Sequence, residues 1–570
     1  MRPGLALPAR FAGDSDTRDI AVAVWRAAIG GWTPRRCAAL PGTVSCPAVT
    51  RMRSLTLASA AILGAACAPV PRATDAPRPG SEPRLVVLMI VDQLPEWSFE
   101  VKRPALTGGF DRLLREGEWH VGQHPSAATI TAASHALIGT GEPPYHSGIL
   151  ANEWWHRDLG RQLKAVEAED GSRTAKWLRV PGLSDAIAAA NTGGKAVSVS
   201  LKDRAAILPL GHAGTAIWYD PDKVAWASLA PPAWLADWTA SHPISAHLHD
   251  VWTPLPETPQ LAGVPDDAPG EVGEKGFGPT FPHALDATPR PADAIFATPL
   301  GNELVFDTAT EAIERERLGA DGHPDLLIIS LSAHDYVGHG WGQESWEAWD
   351  TVLRLDRRLD RFLADLDAKV GAGRWALIAT SDHGAAPMPE SLGGGRISFT
   401  QIKDSANRAA IAELGPGDWI ASAKFPTVYL SNAALAQKPK DLAAVMTKIA
   451  YALRSFPGIA RAEKTADFWG HCDTRTGDAL LICLMLDPER SGEIFYLPAR
   501  GWVFQDASEH VATSHGSLQP YDRLVPVILV PPGRTAHAAL TAPDQTLLPM
   551  TRIATILAHW LGAPPPSSLR

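Results

Sequence analysis

Four strongly apolar runs, far apart in the chain, each have acidic or histidine residues close to one end. Short runs rich in Val, Ile and Leu are typical of strands buried on both faces of a sheet. The runs therefore predict interior strands of one large sheet. They are RLVVLMIVD, ending at Asp92; LLIIS (326–330), before HDYVGH (334–339); WALIATS (375–381), leading into SDHG (381–384); and LVPVILV (524–530), after SHGS (514–517).

Helical periodicity fills much of the sequence between these runs. Apolar residues recur at spacings of three and four in segments 108–117, 303–318, 346–370 and 441–456, and again near the C-terminus until Gly562. Strands that alternate with helices form sheets covered on both sides. We expect an α/β fold with a mostly parallel central sheet, helices on both faces and inserted cap segments.

The polar neighbours of the runs predict a metal centre. Side chains at strand ends can converge at one edge of a sheet, where open α/β folds place their sites. Mixed carboxylate and imidazole ligands suit zinc better than magnesium or calcium, which prefer oxygen alone. We interpret the set as ligands of two metal ions in a hydrolase. Its members are Asp92, Asp335, His339, Asp382, His383 and His515.

Each motif alone also has an ordinary structural explanation. An Asp-His pair after a strand often caps a helix, and the spacing of Asp335 and His339 places two residues on one helical face by chance quite often. Four strand-adjacent motifs with complementary ligand types favour the metal centre over these explanations.

Length and charge limit the function classes. A chain of 570 residues with 45% hydrophobic residues can bury a large core and is too long for one compact domain. The net charge is −10, and residues 1–51, with seven Arg, three Asp and no Lys, contribute +4, which leaves −14 for the rest. This balance argues against nucleic acid as a partner. It does not exclude a phosphate substrate, because metal ions can dominate the local field.

The N-terminal region predicts export. Residues 1–51 precede an internal Met and are interpreted as an over-extended translation start or a disordered leader. Residues 52–67 have the basic start, short apolar stretch and small-residue exit of a signal peptide. Cys67 resembles a lipoprotein cleavage site, which would anchor the protein in the outer membrane. Cleavage after an Ala, giving a free periplasmic protein, is the alternative.

The remaining chain is expected to be one catalytic domain with two insertions. Residues 68–83 are predicted to be a linker and 84–570 the catalytic domain. Pro-rich, Trp-containing sequence at about 205–324 is expected to lie over the site and outside the sheet core, and a second insertion spans about 386–510. Cys472 and Cys483 either form one disulfide or remain an unpaired buried pair.

The segment 126–155 carries a resemblance to a known family. It contains Thr131 four residues before His135, then Thr140-Gly141, His146 with Gly148, and Asn152. In this pattern, together with the six ligands, the chain resembles the alkaline phosphatase superfamily. It is most similar to the branch with a threonine nucleophile, which is related to nucleotide pyrophosphatases and phosphodiesterases. The resemblance covers residues 84–570.

The resemblance implies a role for each residue. It assigns Asp92, Asp382, His383 and the Thr131 oxygen to one Zn²⁺, and Asp335, His339 and His515 to the other. Thr131 would attack phosphorus, because a threonine hydroxyl needs ionisation by a metal or a base to become a nucleophile. An ordinary helix N-cap is the alternative for Thr131. Asn152 would donate its amide to a phosphoryl oxygen.

Lys202 and Arg204 bear on the substrate class. They lie two residues apart after VSVSL, and in an extended run both would point to one side. A cationic pair complements the two charges of a phosphate monoester, and the segment resembles the phosphate-binding Lys-x-Arg of threonine-type alkaline phosphatases. Exposed strand-edge cations are the ordinary alternative.

We therefore expect zinc-dependent hydrolysis of small phosphate monoesters through a phosphothreonine. A phosphodiesterase or nucleotide pyrophosphatase with the same metals is the nearest alternative. A sulfatase is disfavoured because its modification motif is absent from the mature sequence. A catalytically inactive binding protein is disfavoured because Thr131 and all six ligands are present. The sequence leaves the physiological substrate and the oligomeric state open.

Overall fold

The structure is a computed structural model that describes residues 82–506 and 510–569. All of these residues belong to one compact unit, so the expectation that the chain is too long for one compact domain is wrong for the described part. The predicted leader at 1–51, the signal peptide at 52–67 with Cys67, and all but the last two residues of the linker at 68–83 lie outside the described residues.

Strands of the described residues are numbered β1 to β19 in chain order. They are Leu85–Val91, Glu118–Gln123, Glu153–His156, Arg161–Lys164, Ala196–Ser200, Thr215–Asp220, Ala225–Ser228, Val251–Trp252, His283–Ala284, Asp325–Leu331, Trp375–Thr380, Gly395–Ser398, Ile420–Ser422, Thr427–Leu430, Ile459–Lys464, Ile494–Pro498, Trp502–Gln505, Leu524–Val530 and Asp544–Pro549.

Nine of these strands form the central sheet, in the order β19-β2-β18-β11-β1-β10-β5-β6-β7. The five strands from β11 to β6 run parallel, whereas β18 and β7 run antiparallel to their neighbours. All four apolar runs are strands in the interior of this sheet. The prediction of a mostly parallel sheet is confirmed.

Helices cover both faces of the sheet, as predicted. Residues of β1 alternate between two apolar cores: Leu85, Val87 and Met89 pack into one, and Val86 and Leu88 into the other. The helices of eight or more residues are Gly109–Glu116, Thr131–Thr140, Leu183–Ala190, Ala233–Ser241, Pro299–Glu316, Ala333–Trp341, Trp346–Leu366, Phe399–Leu414, Pro439–Arg454, Gly477–Met485 and Arg552–Trp560. Shorter helices include Glu96–Lys102, Pro144–Ser147, Asp203–Ile207, Thr258–Ala262, Pro291–Ala294, Asn432–Leu435 and Pro520–Arg523.

The expectation that 205–324 lies outside the sheet core is wrong for part of that segment. Thr215–Asp220 and Ala225–Ser228 are strands β6 and β7 of the central sheet. Thr215–Asp220 has partly exposed ends and a buried centre. The surrounding Pro- and Trp-rich sequence obscures the strand in the sequence. Helix Pro299–Glu316 packs Val305 and Phe306 into the sheet core.

The segment 386–510 contains a smaller structural layer of its own. Strands β13, β14, β16 and β15 form a four-stranded sheet, and helices Phe399–Leu414 and Pro439–Arg454 share an apolar core with it. Cys472 and Cys483 form a disulfide, with 5.7 Å between their Cα atoms. Across the described ranges, no helix has both the length and the apolar composition that crossing a bilayer requires.

Candidate metal centre

The predicted ligands gather at one edge of the central sheet. Asp92 follows β1, Asp382 and His383 follow β11, and Asp335 lies in the first turn of the helix that follows β10. These three strands are parallel, so their carboxyl ends lie together. His515 instead precedes its strand. Because β18 runs antiparallel to β11, the amino end of β18 lies at the same edge.

One group of potential ligand atoms comes from Asp92, Asp382 and His383, all completely buried. His383 Nε2 lies 3.6 Å from Asp92 Oδ1 and 3.2 Å from Asp382 Oδ2. Both of these carboxylate oxygens are buried without a hydrogen-bond partner. A buried carboxylate oxygen is costly without a partner, so two such atoms that face one imidazole nitrogen fit a bound cation.

A second group comes from Asp335, His339 and His515. Asp335 Oδ1 lies 3.3 Å from His339 Nε2 and 4.0 Å from His515 Nε2. Asp335 and His339 are four residues apart on helix Ala333–Trp341, which places them on the same helical face, as the spacing predicted. Donor separations of this size suit a metal with bonds of about 2.0–2.2 Å.

Main-chain carbonyls fix the orientation of all three histidines. The Nδ1 atoms of His383, His339 and His515 lie 3.0, 3.0 and 2.7 Å from the carbonyl oxygens of Gly384, Thr513 and Thr129. A carbonyl only accepts, so each Nδ1 carries the proton and donates it. In the neutral ring, each Nε2 then presents a lone pair to its ligand group, the arrangement that metal-binding histidines usually show.

Burial and neighbouring charges set the protonation of the groups. Burial lowers the pKa of His383, and burial with two nearby imidazoles lowers that of His515 well below its usual value, so both rings are neutral at neutral pH. Burial, Asp335 and Asp382 raise the pKa of Asp92 well above its usual value. The contribution of Asp335 and Asp382 to this shift reflects neighbouring negative charge that bound cations would balance.

Thr131 is the first residue of helix Thr131–Thr140. Its hydroxyl lies 3.3 Å from His383 Nε2, beside the first ligand group. The N-cap position belongs to Ile130, and the cap has no side-chain hydrogen bond. The N-cap alternative for Thr131 is therefore wrong. His135, one turn later, has Nδ1 2.9 Å from the Thr131 carbonyl oxygen and Nε2 2.9 Å from Ser330 Oγ, and so ties the start of this helix to β10.

Asn152 lies beside the same helix start. Its Oδ1 accepts the backbone N–H of Ala132 at 3.0 Å. Because a backbone N–H can only donate, this contact identifies the side-chain oxygen and leaves the amide nitrogen as the outward group. Asn152 also lines the cavity above the ligand groups.

Lys202 is buried between the two ligand groups. Its ammonium donates to Asp92 Oδ2 and to Asp335 Oδ2, one carboxylate of each group. Burial alone would lower the pKa of Lys202, but Asp335 and Asp92 outweigh it and raise the pKa above its usual value. Lys202 is therefore a fixed positive charge at the centre of the site.

The local structure around Arg204 differs from the prediction. The extended run ends at Ser200, and Asp203–Ile207 is a helix, because Asp203 supplies an acidic residue to a first turn that Lys202 precedes as N-cap. The alternative, that Lys202 and Arg204 are exposed cations at a strand edge, is also wrong, because Lys202 is buried and Arg204 is half-buried. Both side chains still lie beside Tyr336, with Lys202 Nζ 4.8 Å from its ring.

Gln93 contacts both ligand groups, and the sequence analysis did not identify it. Its backbone N–H donates to Asp382 and its carboxamide to Asp335. Its place directly after Asp92, at the end of a buried strand, is the one sequence feature that could have drawn attention to it.

A cavity of about 280 Å³ opens over His339, His515 and Asn152. Both segments predicted as insertions contribute to its walls. The residues from these segments include Lys275, Phe399, Lys424, Phe425 and Phe504.

Comparison with known proteins agrees with this geometry. The family model for type I phosphodiesterase / nucleotide pyrophosphatase matches residues 86–518. Alkaline phosphatase PhoV of Synechococcus elongatus is 30% identical over 501 residues, which cover 80% of this chain and 88% of PhoV. Alkaline phosphatase PafA of Elizabethkingia meningoseptica is 29% identical over 481 residues, which cover 79% of this chain and 87% of PafA. The crystal structure of wild-type PafA aligns with a TM-score of 0.75 at 27% identity and covers 85% of this chain and 96% of that one.

Proposed function

This chain belongs to the type I phosphodiesterase / nucleotide pyrophosphatase family as a PafA-like member of the alkaline phosphatase superfamily, and we propose that it hydrolyses phosphate monoesters with two Zn²⁺ ions and a phosphothreonine intermediate. It is a phosphoester hydrolase of the alkaline phosphatase type. The metal identity, the number of ions, the intermediate and the preference for monoesters are the proposed parts.

The position of Thr131 carries the proposal. Its hydroxyl adjoins the first ligand group at the start of a helix, where the partial positive charge of the helix N-terminus favours developing negative charge. Bound Zn²⁺ would supply positive charge that lowers the pKa of a hydroxyl and stabilises a leaving oxygen. His383 borders the Thr131 oxygen and, together with Asp92 and Asp382, would hold the ion beside it.

The reaction has two balanced steps. The Thr131 Oγ1 proton passes to solvent as Oγ1 forms a bond to phosphorus. The bond from phosphorus to the alcohol oxygen breaks, and the leaving oxygen takes up a proton from solvent and departs as the alcohol. Water then attacks the phosphothreonine, which releases inorganic phosphate and returns a proton to Thr131. The amide of Asn152 would donate to a phosphoryl oxygen in both steps.

The cationic pair supports monoesters over the diester alternative. A monoester dianion has two charges and three non-bridging oxygens, whereas a diester has one charge. Lys202 lies between the ligand groups and Arg204 lies beside Tyr336 on the same side of the site. Two cations match the greater charge of the monoester.

The disulfide supports export. Disulfides persist in oxidising compartments and are rare in the cytosol of most organisms. We propose an exported bacterial protein, in agreement with the signal peptide predicted at 52–67. Attachment of a lipid to Cys67 stays a prediction.

Comparison of a monoester with its matching diester tests the proposal. Wild-type kcat/KM should be higher for an aryl phosphate than for the corresponding diester. Arg204→Ala should lower the monoester value by roughly tenfold or more, because one charge-assisted contact contributes about 1.5–3 kcal/mol and ~1.4 kcal/mol is a factor of ten. The diester value should fall much less.

Arg173→Ala is the matched control. Arg173 lines the same cavity as Arg204 but pairs with Asp203 at 2.5 Å, so its loss should leave the ratio of the two substrates unchanged. Metal content should be equal in all three proteins. A wild-type preference for diesters would favour the phosphodiesterase alternative, and equal losses on both substrates in Arg204→Ala would show that Arg204 supports structure and does not read charge.

A further inference from the structure

Gln93 has an unusual backbone conformation between the two ligand groups. It follows Asp92 at the end of β1, and its φ of 62° lies in the left-handed region, which is unfavourable for a residue with a Cβ. Such conformations persist where surrounding contacts over-determine them, and they cluster at functional sites. The contacts of Gln93 show which groups this conformation brings within hydrogen-bond distance.

The main chain and the side chain of Gln93 reach different ligand groups. The backbone N–H donates to Asp382 Oδ1 at 3.1 Å, the oxygen that faces away from the first group. The side-chain Nε2 donates to Asp335 Oδ1 at 2.7 Å and lies 3.2 Å from His339 Nε2, within the second group. One residue thus touches a carboxylate of each group.

Neighbouring residues fix the direction of the Gln93 carboxamide. Gln343 Nε2 donates to Gln93 Oε1 at 3.0 Å and to its backbone carbonyl at 3.2 Å. Because Oε1 accepts this bond, Nε2 is the atom that faces Asp335. A Cβ on Gly338 would lie 1.9 Å from Gln93 Oε1, so the metal-ligating helix leaves room for this carboxamide at a glycine.

We propose that Gln93 is a positioning residue that orients Asp335 in the second ligand group while its backbone holds Asp382 in the first. Lys202 binds Oδ2 of Asp335 and Gln93 binds Oδ1, so the carboxylate is held against rotation from both sides. The turn at Gln93 then sets the separation of the two groups. The inference rests on the proposed two-metal function.

The substitution Gln93→Gly separates the two contacts. Glycine adopts positive φ freely and keeps the N–H that binds Asp382, but it lacks the carboxamide that binds Asp335. We expect the affinity for one of two Zn²⁺ ions to fall by roughly 10- to 100-fold, the usual effect of losing a hydrogen bond to a metal ligand, with the other affinity unchanged. Gln93→Leu, which also lacks the donor, should show the same single-site loss.

The measurement is a Zn²⁺ titration of the full metal-free chain against a chromophoric chelator, together with thermal melting of the metal-free proteins. The melting curves establish that the metal-free Gln93→Gly and Gln93→Leu chains fold, so a loss of affinity is assigned to the ligand group and not to unfolding. Asn191→Gly is the control, because Asn191 also has positive φ, 51°, at the end of helix Leu183–Ala190. It should leave both affinities unchanged.

Unchanged affinities in Gln93→Gly, or an equal fall in both, would overturn the inference while leaving the proposed function intact. A wild-type chain that binds fewer than two ions would overturn the proposed function, and the inference with it. The titration distinguishes these outcomes without any activity measurement.

Discussion

Thr131 is a weak nucleophile whose surroundings are determined by its position in the fold. The residue is fully buried, starts a helix and contacts His383, so its hydroxyl is removed from water and placed beside a ligand group. A free threonine hydroxyl is unreactive at neutral pH. The reactivity we propose for Thr131 therefore depends on the fixed positions of its neighbours.

Replacing Thr131 tests this at the residue scale. Thr131→Ala should lose roughly 10³-fold or more in kcat, in line with other nucleophile deletions, because no oxygen remains to attack phosphorus. Thr131→Ser keeps the hydroxyl and should retain partial activity. Zinc content should stay close to wild type in both, because the carboxylate and imidazole ligands remain. Phosphate trapped on a different residue at low pH would contradict the assignment.

At the scale of elements, the apolar runs predicted the interior strands because a buried strand has a distinctive composition. The ends of these strands then indicated where the ligands lie. Five of the six ligands follow from strand order, since parallel strands bring their carboxyl ends together. His515 reaches the same edge only because β18 runs antiparallel to β11. The conformation at Arg204 could not be predicted. A helix begins three residues after β5, but the sequence there is equally compatible with an extended strand. The φ of Gln93 depends on Asp382, Asp335 and Gln343, which lie far away in sequence.

The pairing of Cys472 with Cys483 could not be predicted either. A separation of 11 residues permits both paired and unpaired cysteines, and only the fold brings the two Cα atoms within bonding range. Strands β6 and β7 were not predicted because they lie in a Pro- and Trp-rich segment whose periodicity is weak.

Helix Glu96–Lys102 ends in a buried lysine that should make stability depend on pH. Lys102 Nζ donates to Ser98 Oγ and to the Gln343 carbonyl, both at 2.6 Å. Burial lowers the pKa of Lys102 from 10.5 to about 7, although Glu344 partly opposes this. Between about pH 7 and 10.5 the unfolded chain therefore binds a proton that the folded chain does not, so the free energy of unfolding rises with pH in this window.

Lys102→Met should remove this contribution of ~1.4 kcal/mol per pH unit. Thermal or denaturant unfolding from pH 7 to 10 should show a smaller increase in stability for Lys102→Met than for wild type. Lys440→Met, at an exposed position, is the control and should follow wild type. Parallel curves for all three proteins would show that Lys102 stays charged in the folded state.

At the scale of the whole molecule, the proposed metal ions should add to folding stability. The ligand atoms come from separate segments that meet only in the folded sheet, so an ion binds the folded chain far better than the unfolded one. Free Zn²⁺ at 100 times its Kd stabilises a protein by about 2.7 kcal/mol. Chelation should therefore lower the melting temperature and abolish turnover, and added Zn²⁺ should restore both.

Metal analysis of the purified protein is the direct measurement. We expect about two Zn²⁺ per chain, and His515→Ala should lose one ion and Asp382→Ala the other, each with loss of turnover. Fewer than two bound ions per chain, or full activity in chelator, would refute the proposal.

The order of the ligands along the chain determines when the second ligand group can form. Asp92 emerges early in synthesis, whereas His515 comes near the end and is held by the loop before β18, a strand that inserts between β2 and β11. A nascent chain that has not yet placed β18 lacks a member of its second ligand group. If the proposed two-metal function holds, hydrolytic activity is withheld until the last interior strand is in position, and a chain exported before folding, as we propose, would stay inert until it folds.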